Sequence, residues 1–237
     1  MKAAVIIPAR YASTRFPGKP LAQIKDKPLI QWVYENSLKC KGIDTTLIAT
    51  DDNRIMEAVA GFGGKAVFTS SLCKSGTDRV AEVARLIEHE IIINIQGDQI
   101  VFDEVAVTRA IETLKGDVPI VTIATPASPR EMTDPNTVKV VCDKDDNALY
   151  FSRSPLPYTR SEGFWQPLKH IGIYGFKRDT LKTLTRLRPS PLEKTESLEQ
   201  LRALENGIDI RVIVSKGNFF EINTPEDAKR FIESWQG

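Results

Sequence analysis

Short apolar runs alternate with amphipathic segments of helical length along the first half of the 237-residue chain. The runs at residues 3–7 and 91–95 consist almost entirely of Ala, Val and Ile, as is typical of strands covered on both faces of a sheet. The first of them is expected to end at Pro8. In segments 28–38 and 77–89 apolar side chains recur every three or four residues, which indicates helices. This alternation predicts parallel βαβ units and hence an α/β fold with a doubly wound, mostly parallel sheet.

The pattern changes near residue 138, where strand-like runs separated by turn residues replace the strand–helix alternation. We expect a β-rich lobe at about 138–190, inserted into a single domain that spans residues 1–237 and packed against its sheet. Residues 191–206 have the apolar spacing of one long helix, which Gly207 would close.

Three polar segments follow predicted strands of the first half, at residues 8–20, 51–52 and 96–99. In open parallel sheets, ligands bind at the carboxyl ends of the strands. These segments are therefore expected to meet at one edge of the sheet and to form the binding site.

The first of these segments combines cations, hydroxyls and a glycine directly after a buried strand. Arg offers a planar set of donors that fits phosphate oxygens, Lys adds a point charge, and the loop adds backbone N–H groups. The segment matches neither the P-loop nor the dinucleotide-binding glycine pattern. An ordinary solvated loop is the alternative, but the position after a first strand favours a triphosphate. The residues concerned are Arg10, Ser13, Thr14, Arg15, Gly18 and Lys19.

Asp98 follows the buried run at 91–95, after Gly97, which allows the backbone to turn. Its carboxylate is a natural Mg²⁺ ligand beside a triphosphate, because Mg²⁺ takes one or two carboxylates together with phosphate oxygens. The alternative is a helix cap. The segment Ser75-Gly76-Thr77-Asp78-Arg79 fits a helix N-terminus as well as it fits base or sugar recognition.

The composition is that of an ordinary globular protein, with a net charge of +1 and 41% hydrophobic residues. It gives no general reason to expect a strongly charged macromolecular partner. We therefore expect no nucleic-acid partner and no membrane insertion. Cys40, Cys73 and Cys142 are far apart and have no metal-ligand spacing, which favours reduced thiols. The N-terminal run does not resemble a signal peptide, and a cytoplasmic location is predicted.

Together these segments resemble a known family along nearly the whole chain. The similarity is carried, in order, by PARYASTRFPGKPL, ATDD, SGTDR, INIQGD, ALYFSRSPLPY, LKHIGIYGF, SPLEKTESLEQLRALENG and NTPEDA. As a set they are similar to the 3-deoxy-manno-octulosonate cytidylyltransferases, the CMP-Kdo synthetases, whereas PAR…R…GKPL alone would indicate only the wider sugar nucleotidyltransferase superfamily.

The resemblance implies the nucleotide-diphospho-sugar transferase fold, a homodimer formed through the β-rich lobe, and a reaction of CTP with 3-deoxy-D-manno-octulosonate (Kdo). With Mg²⁺ as cofactor, the anomeric hydroxyl of the sugar would attack the α-phosphorus of CTP, yielding CMP-Kdo for lipopolysaccharide and pyrophosphate. The implied triphosphate ligands are Arg10, Ser13, Arg15 and Lys19, with Ser75, Gly76 and Arg79 near the nucleotide. Arg10, Lys19 and Asp98 would be the catalytic set. The implied sugar site comprises Arg79, Gln96, Arg153, His170, Tyr174, Glu199 and Gln200.

Two positions depart from the family pattern. Members usually have VDTPED near the C-terminus, where the first Asp is the second protein ligand of Mg²⁺, but this chain has INTPED with Asn223 there. An amide oxygen can still bind Mg²⁺ but removes a negative charge, which Glu221 or Asp227 could restore. Gln99-Ile100 replaces the usual Glu-Pro. These changes leave open an 8-amino Kdo analogue, another acid sugar, or a regulatory protein that binds nucleotide without turnover.

Overall fold

The computed structural model describes residues 1–12, 16–160 and 166–234. The chain divides into two compact units, one formed by Met1–Val105 with Asn218–Gly237 and the other by Ala106–Gly217. In the part of the chain that the structure describes, no helix is long and apolar enough to span a membrane.

The first unit contains four parallel strands in the order β6-β1-β4-β5. All seven residues of β1 are buried, as its apolar sequence predicts. The strands are β1 (Ala3–Ala9), β4 (Thr45–Thr50), β5 (Ala66–Phe68) and β6 (Ile91–Asn94), and two short antiparallel pairs join β2 (Gln23–Ile24) to β3 (Lys27–Pro28) and β7 (Gln99–Val101) to β13 (Phe220–Glu221). The prediction of a mostly parallel α/β sheet is confirmed.

Helices follow these strands in the predicted alternation. They are α1 (Leu29–Ser37), α2 (Asn53–Gly61), α3 (Gly76–Ala84) and the C-terminal α9 (Pro225–Ser234), while α4 (Glu104–Leu114) continues into the second unit. The prediction of a helix extending to residue 89 was wrong, because the chain leaves the helix at Arg85 and Leu86 bonds back to Val83 in a tight turn.

Strand β1 continues through Pro8 to Ala9, so the prediction that it ends at Pro8 was also wrong. Pro8 has no N–H to donate, and proline is tolerated where a strand has lost a neighbour. Pairing of β1 with β6 stops at Ile6, whereas pairing with β4 continues to Ala9. The proline therefore lies where hydrogen bonding on one side has already ended.

The second unit is built on the antiparallel order β10-β9-β11-β8, with β12 parallel to β8. Its strands are β8 (Ile120–Pro126), β9 (Lys139–Cys142), β10 (Ala148–Ser152), β11 (Leu168–Lys177) and β12 (Ile210–Val214). Strands β9 and β10 form the predicted hairpin. The Asp143 carboxylate fixes its turn by accepting hydrogen bonds from the backbone N–H groups of Asp145 (2.9 Å) and Asn147 (2.8 Å).

Helices of the second unit are α5 (Pro129–Thr133), α6 (Arg178–Leu184), α7 (Pro191–Glu196) and α8 (Leu201–Glu205). The single helix predicted at 191–206 was wrong, because α7 ends at Ser197 in the left-handed region (φ 54°). The preceding Glu196 turns its carboxylate to the Ser152 hydroxyl at 2.6 Å. The local spacing of apolar residues could not predict this contact, because Ser152 lies on a strand distant in sequence. Gly207 (φ 70°) closes α8, as predicted.

Candidate active site

A cavity of about 430 Å³ lies at the carboxyl ends of β1 and β6 in the first unit. Its position agrees with the rule that ligands of open parallel sheets bind at these ends. Its wall brings together most of the residues predicted for the nucleotide, namely Arg10, Lys19, Ser75, Gly76 and Arg79. Gln96, predicted for the sugar, and Asp98, predicted for the metal, also line it. The predicted Ser13, Thr14 and Arg15 lie outside the described residues.

The described ends of the loop after β1 are held together at Tyr11 and Gly18. The N–H of Gly18 donates to the Tyr11 carbonyl at 3.0 Å. Gly18 has φ 70°, a conformation that favours glycine, and a Cβ there would lie only 3.1 Å from the Tyr11 ring, a tight contact. The Arg54 guanidinium lies 3.3 Å from the centre of the same ring and pairs with Asp52 at 2.6 Å.

Lys19 and Asp98 form an ion pair in the wall of the cavity, with Lys19 Nζ 2.6 Å from Asp98 Oδ2. Lys19 opens a short 3-10 helix, Lys19–Leu21, that follows the loop after β1. The side chains are only 15% and 23% exposed, so the pair is partly shielded from solvent. A cation therefore already lies against the carboxylate predicted to bind metal.

Gly97 places Asp98 at this point. A Cβ at residue 97 would lie 2.8 Å from the Pro8 carbonyl oxygen, which is closer than real contacts allow. Only glycine lets the segment after β6 pass this close to the end of β1. The approach brings a carboxylate to the edge of the sheet from which the cationic loop starts.

The N-terminus of α3 forms another part of the wall, through Ser75 and Gly76. The Ser75 hydroxyl accepts from the Asp78 N–H at 3.1 Å, and the Asp78 carboxylate accepts from the Ser75 N–H at 3.2 Å. This capping box accounts for the serine and aspartate of the SGTDR segment structurally. The positive end of a nine-residue helix nevertheless lies at the cavity, where it favours anions.

Arg79 is 4% exposed and its guanidinium is held within the first unit. It donates to the Asp51 carboxylate at 2.8 Å and to the Thr69 hydroxyl. A buried guanidinium with a carboxylate partner is rigid, so Arg79 contributes a fixed charge to the cavity wall. The Gln96 amide bonds weakly to the Asn94 side chain at 3.4 Å, which leaves it able to turn toward a ligand.

Asn223 is connected to Asp98 through the backbone. The N–H of Ile222, the preceding residue, donates to the Asp98 carbonyl at 2.9 Å. The Asn223 amide lies 3.3 Å from a Glu221 carboxylate oxygen. Within the described ranges, no group of three or more His, Cys, Asp or Glu side chains could hold a metal. The Ile222–Asp98 bond thus joins the segment that carries Asp98 to the segment that carries Glu221 and Asn223.

Asp227, one candidate for compensating Asn223, is committed to the start of α9. It accepts from the N–H groups of Asn223 (2.9 Å) and Thr224 (2.8 Å) and pairs with Arg230. Burial disfavours the charged form, but these hydrogen bonds hold the pKa of Asp227 below its usual range. The carboxylate is thus a helix cap, which removes it as a free metal ligand.

The other predicted sugar residues lie in the second unit. Arg153 follows β10, and His170 and Tyr174 lie on β11. Glu199 and Gln200 lie between α7 and α8. The rings of His170 and Tyr174 are 5.2 Å apart between centroids. Gln200 is 8% exposed, and its Nε2 is buried with no hydrogen-bond partner among the described residues.

His170 is held in one tautomer by Thr122. The Thr122 hydroxyl oxygen lies 2.9 Å from His170 Nε2 and 2.9 Å from the Ile173 carbonyl oxygen. Because a carbonyl can only accept, both contacts are satisfied when the hydroxyl donates to Ile173 and accepts from His170 Nε2–H. The Phe151 ring packs on the imidazole edge-on, with centroids 5.2 Å apart. Burial lowers the pKa of His170 to about 3, so the ring is neutral at physiological pH.

Sequence reasoning missed Lys74 and Cys73, which also line the cavity. Lys74 is exposed and directly precedes the cap of α3, and that adjacency was the signal available in the sequence. Burial and the neighbouring Glu82 raise the pKa of Cys73 to about 11. The thiol therefore stays protonated and lines the cavity without acting as a nucleophile.

Comparisons with known proteins agree on one family. The family model described as cytidylyltransferase matches residues 4–210. The chain is 44% identical over 249 residues to the 3-deoxy-manno-octulosonate cytidylyltransferase of Geobacter metallireducens, covering 98% of this chain and 97% of the relative. It is 49% identical over 240 residues to the enzyme of that name from Thermodesulfovibrio yellowstonii, covering 94% and 93%.

Among solved structures, a CMP:2-keto-3-deoxy-manno-octonic acid synthetase complexed with CTP superimposes with a TM-score of 0.95, 42% identity and 98% coverage of both chains. A putative glucose-1-phosphate thymidylyltransferase from Bacillus anthracis, in complex with a sucrose, gives a TM-score of 0.68 at 15% identity, covering 98% of this chain and 94% of that one. At that identity the second likeness concerns the fold alone.

The depressed pKa of His170 makes stability depend on pH. The unfolded imidazole takes up a proton near its ordinary pKa of 6.5, whereas the folded one does so only near 3. The unfolded state therefore binds more protons in this window, and His170 lowers the free energy of unfolding by about 1.4 kcal/mol per pH unit as pH falls. Urea denaturation at several pH values should show this slope for the wild type relative to His170→Phe.

The only other histidine is His89, so the imidazole signals are easily separated by NMR. The His170 signal should remain that of the neutral ring down to pH 5. Titration of this signal near 6.5, or parallel stability curves for wild type and variant, would contradict the assignment.

Proposed function

Since this chain belongs to the cytidylyltransferase family, we propose that it transfers CMP from CTP to the anomeric hydroxyl of Kdo. The products are CMP-Kdo, which serves lipopolysaccharide biosynthesis, and pyrophosphate. The observation that carries the proposal is the cavity at the ends of β1 and β6, whose described lining combines Arg10, Lys19, Lys74 and the positive end of α3 with one carboxylate, Asp98. This is an arrangement for a polyanion with its countercation.

On the nucleotide side, we assign the triphosphate to Arg10 and Lys19, together with Ser13 and Arg15 of the same loop. The N-terminus of α3, at Ser75 and Gly76, adds backbone N–H groups, and Arg79 adds its fixed charge. Lys19 can exchange its bond to Asp98 for one to a phosphate oxygen, because both acceptors are anionic and the pair is only partly shielded.

In the reaction, the anomeric hydroxyl oxygen forms a bond to the α-phosphorus as the bond to the β-phosphate oxygen breaks. The hydroxyl proton is lost to solvent or base, and pyrophosphate carries away the electron pair of the broken bond. Cations fixed around the triphosphate neutralise the charge that develops on the leaving group. Holding both reactants in line supplies much of the remaining rate enhancement, which is the task of the wall residues.

Mg²⁺ is the cofactor that we propose for this site, with Asp98 as its main protein ligand and the Asn223 amide oxygen as a weak one. When bound, it would act as a Lewis acid on the phosphate oxygens. The donor set fits a hard cation, since both ligands are oxygens and the Asp98 carboxylate already attracts a cation, Lys19.

On the sugar side, Arg153 suits the carboxylate of Kdo through a charge-assisted pair, while Gln96 and Arg79 are assigned to the sugar from the nucleotide side. His170 in its fixed tautomer offers Nδ1 as an acceptor for a hydroxyl. The buried Nε2 of Gln200 offers an unused donor. Tyr174 stays protonated, because burial and the charge of Glu199 raise its pKa well above the usual value.

A coupled assay for pyrophosphate release tests the function. With CTP, Mg²⁺ and Kdo, we expect turnover that is lost by at least about a hundredfold in Asp98→Asn, because the charge at the metal position disappears. The assay should be repeated with the 8-amino analogue and with a sialic acid. Preference for either would move the substrate to that sugar, as Gln99 and Asn223 allow. CTP binding without turnover on any sugar acid would favour the regulatory alternative.

Asn223→Asp tests whether residue 223 binds the metal. Restoring the carboxylate should lower the Mg²⁺ concentration for half-maximal turnover by about tenfold, because a negative charge is added to the ligand set. Asn206→Asp, an equal charge change at the exposed end of α8, is the control and should leave the Mg²⁺ dependence unchanged. Equal Mg²⁺ dependence of wild type and Asn223→Asp would eliminate Asn223 as a ligand.

We further propose a cytoplasmic homodimer whose subunits associate through the β-rich lobe at about 138–190. This lobe carries large exposed apolar side chains, with Leu149 62% and Tyr158 90% exposed, and contact with a second copy would cover them. Light scattering at micromolar concentration should give twice the chain mass of 26.5 kDa. Leu149→Lys should shift the mass toward the monomer. A monomeric wild type would overturn this proposal.

A further inference from the structure

Lys139, the first residue of β9, carries a fully buried ammonium group. Its Nζ donates to the backbone carbonyls of Asp134 (3.0 Å), Thr137 (2.8 Å) and Arg153. An ammonium has three hydrogens, so each of them is used. Its hydrogen bonds thus go to neutral backbone oxygens, a less common way to satisfy a buried charge than a carboxylate.

These carbonyls come from two separate segments. Asp134 and Thr137 belong to the turn before β9, whereas Arg153 directly follows β10. The ammonium therefore joins the start of one strand to the end of its antiparallel neighbour. The pairing of β9 with β10 ends at Lys139 opposite Ser152, so strand pairing alone does not fix the residues beyond this point.

Arg153 is fixed by further bonds around the same point. Its N–H donates to the Glu196 carboxylate at 3.0 Å and its Nε to the Glu196 carbonyl at 2.8 Å. Its Nη1 donates to the Pro135 carbonyl at 2.9 Å, in the turn that Lys139 holds. Among the described residues no acceptor is recorded for Nη2. The backbone and two guanidinium nitrogens of Arg153 are thus tied down, and one edge of the fork is left for a ligand.

We propose that Lys139 is a positioning residue for the sugar acid, which fixes Arg153 so that its free guanidinium edge meets the substrate carboxylate. The inference rests on the proposed function, in which Arg153 binds that carboxylate. Lys139 itself is fully buried and acts only through the carbonyl of Arg153 and the turn at Pro135.

Stability alone explains this lysine poorly. Replacing buried charged groups with apolar residues of similar volume is often neutral or stabilising, because a charge must be desolvated. Desolvation indeed lowers the pKa of Lys139, although Asp134 and Glu196 oppose the shift. Three directional hydrogen bonds from Lys139, in contrast, fix the turn at Pro135 and the Arg153 backbone. A small displacement of a binding group can strongly weaken its interaction with substrate.

Lys139→Met tests the inference, because methionine keeps an unbranched side chain only one atom shorter than lysine and removes its donors. We expect the KM for the sugar to rise about tenfold or more, with the KM for CTP within about twofold of wild type. Arg153→Gln should raise the sugar KM similarly. The double variant should be little worse than either single one, since both remove the same contact.

Val140→Ala is the matched control, since Val140 is the next residue of β9, equally buried and without polar contacts. It should lower Tm through a cavity and leave the sugar KM unchanged. If Lys139→Met does not fold, Lys139→Gln keeps two donors without the charge and should give an intermediate sugar KM.

The outcomes distinguish the role of Lys139 from the role of Arg153. An unchanged sugar KM in the folded Lys139 variant, together with a raised one in Arg153→Gln, would overturn the role of Lys139 alone. An unchanged sugar KM in Arg153→Gln would remove Arg153 from the sugar site, and the inference would fail with it. Equal rises in the KM values for CTP and sugar would indicate general disruption and would also reject it.

Discussion

The ion pair between Lys19 and Asp98 is the interaction on which the first unit's site depends. It joins the loop after β1 to the segment after β6, at a distance of 2.6 Å. It can form only because Gly97 lets that segment pass the Pro8 carbonyl without a side chain. Two adjacent parallel strands thereby bring a cation and a carboxylate to one point, Lys19 being the residue proposed for phosphate and Asp98 the one proposed for metal.

In the proposed function, the same pair would couple the binding of metal to the binding of triphosphate. A metal approaching Asp98 alone must compete with the Lys19 ammonium, whereas a triphosphate offers that ammonium another anion. Each ligand therefore removes a contact that opposes the other, and the coupling acts in both directions. Partial shielding strengthens the effect, because charges at 15% and 23% exposure interact more strongly than charges in open water.

Buried cations recur in both units, and each is satisfied differently. Arg79 is paired with Asp51, Arg202 with Glu193, and Lys139 with three carbonyls. A net charge of +1 gives no hint of them, since composition counts charges and burial depends on tertiary contacts. The sequence pattern could therefore identify Arg10 and Lys19 as candidate binding residues, because they follow a buried strand. It contained no signal that Lys139, at the start of β9, would be buried.

The apolar periodicity predicted the elements that depend on local pattern. The buried run of β6 and the hairpin of β9 and β10 lie where the sequence indicated. The helix predicted at 191–206 failed because Ser197 adopts φ 54° while Glu196 binds Ser152, a residue more than forty positions away. Such a contact is decided by the folded second unit, and no window of local spacing contains it.

In the C-terminal segment, capping of α9 restricts which carboxylate would be available to a metal. Asp227 is three residues after Thr224, the spacing of a capping box, and its carboxylate accepts from the N–H groups of Asn223 and Thr224. Using it as a metal ligand would leave those N–H groups without their acceptor. Glu221 precedes the helix and lies beside the Asn223 amide at 3.3 Å. The capping bonds of Asp227 thus make it a poor candidate for restoring the charge that Asn223 lacks.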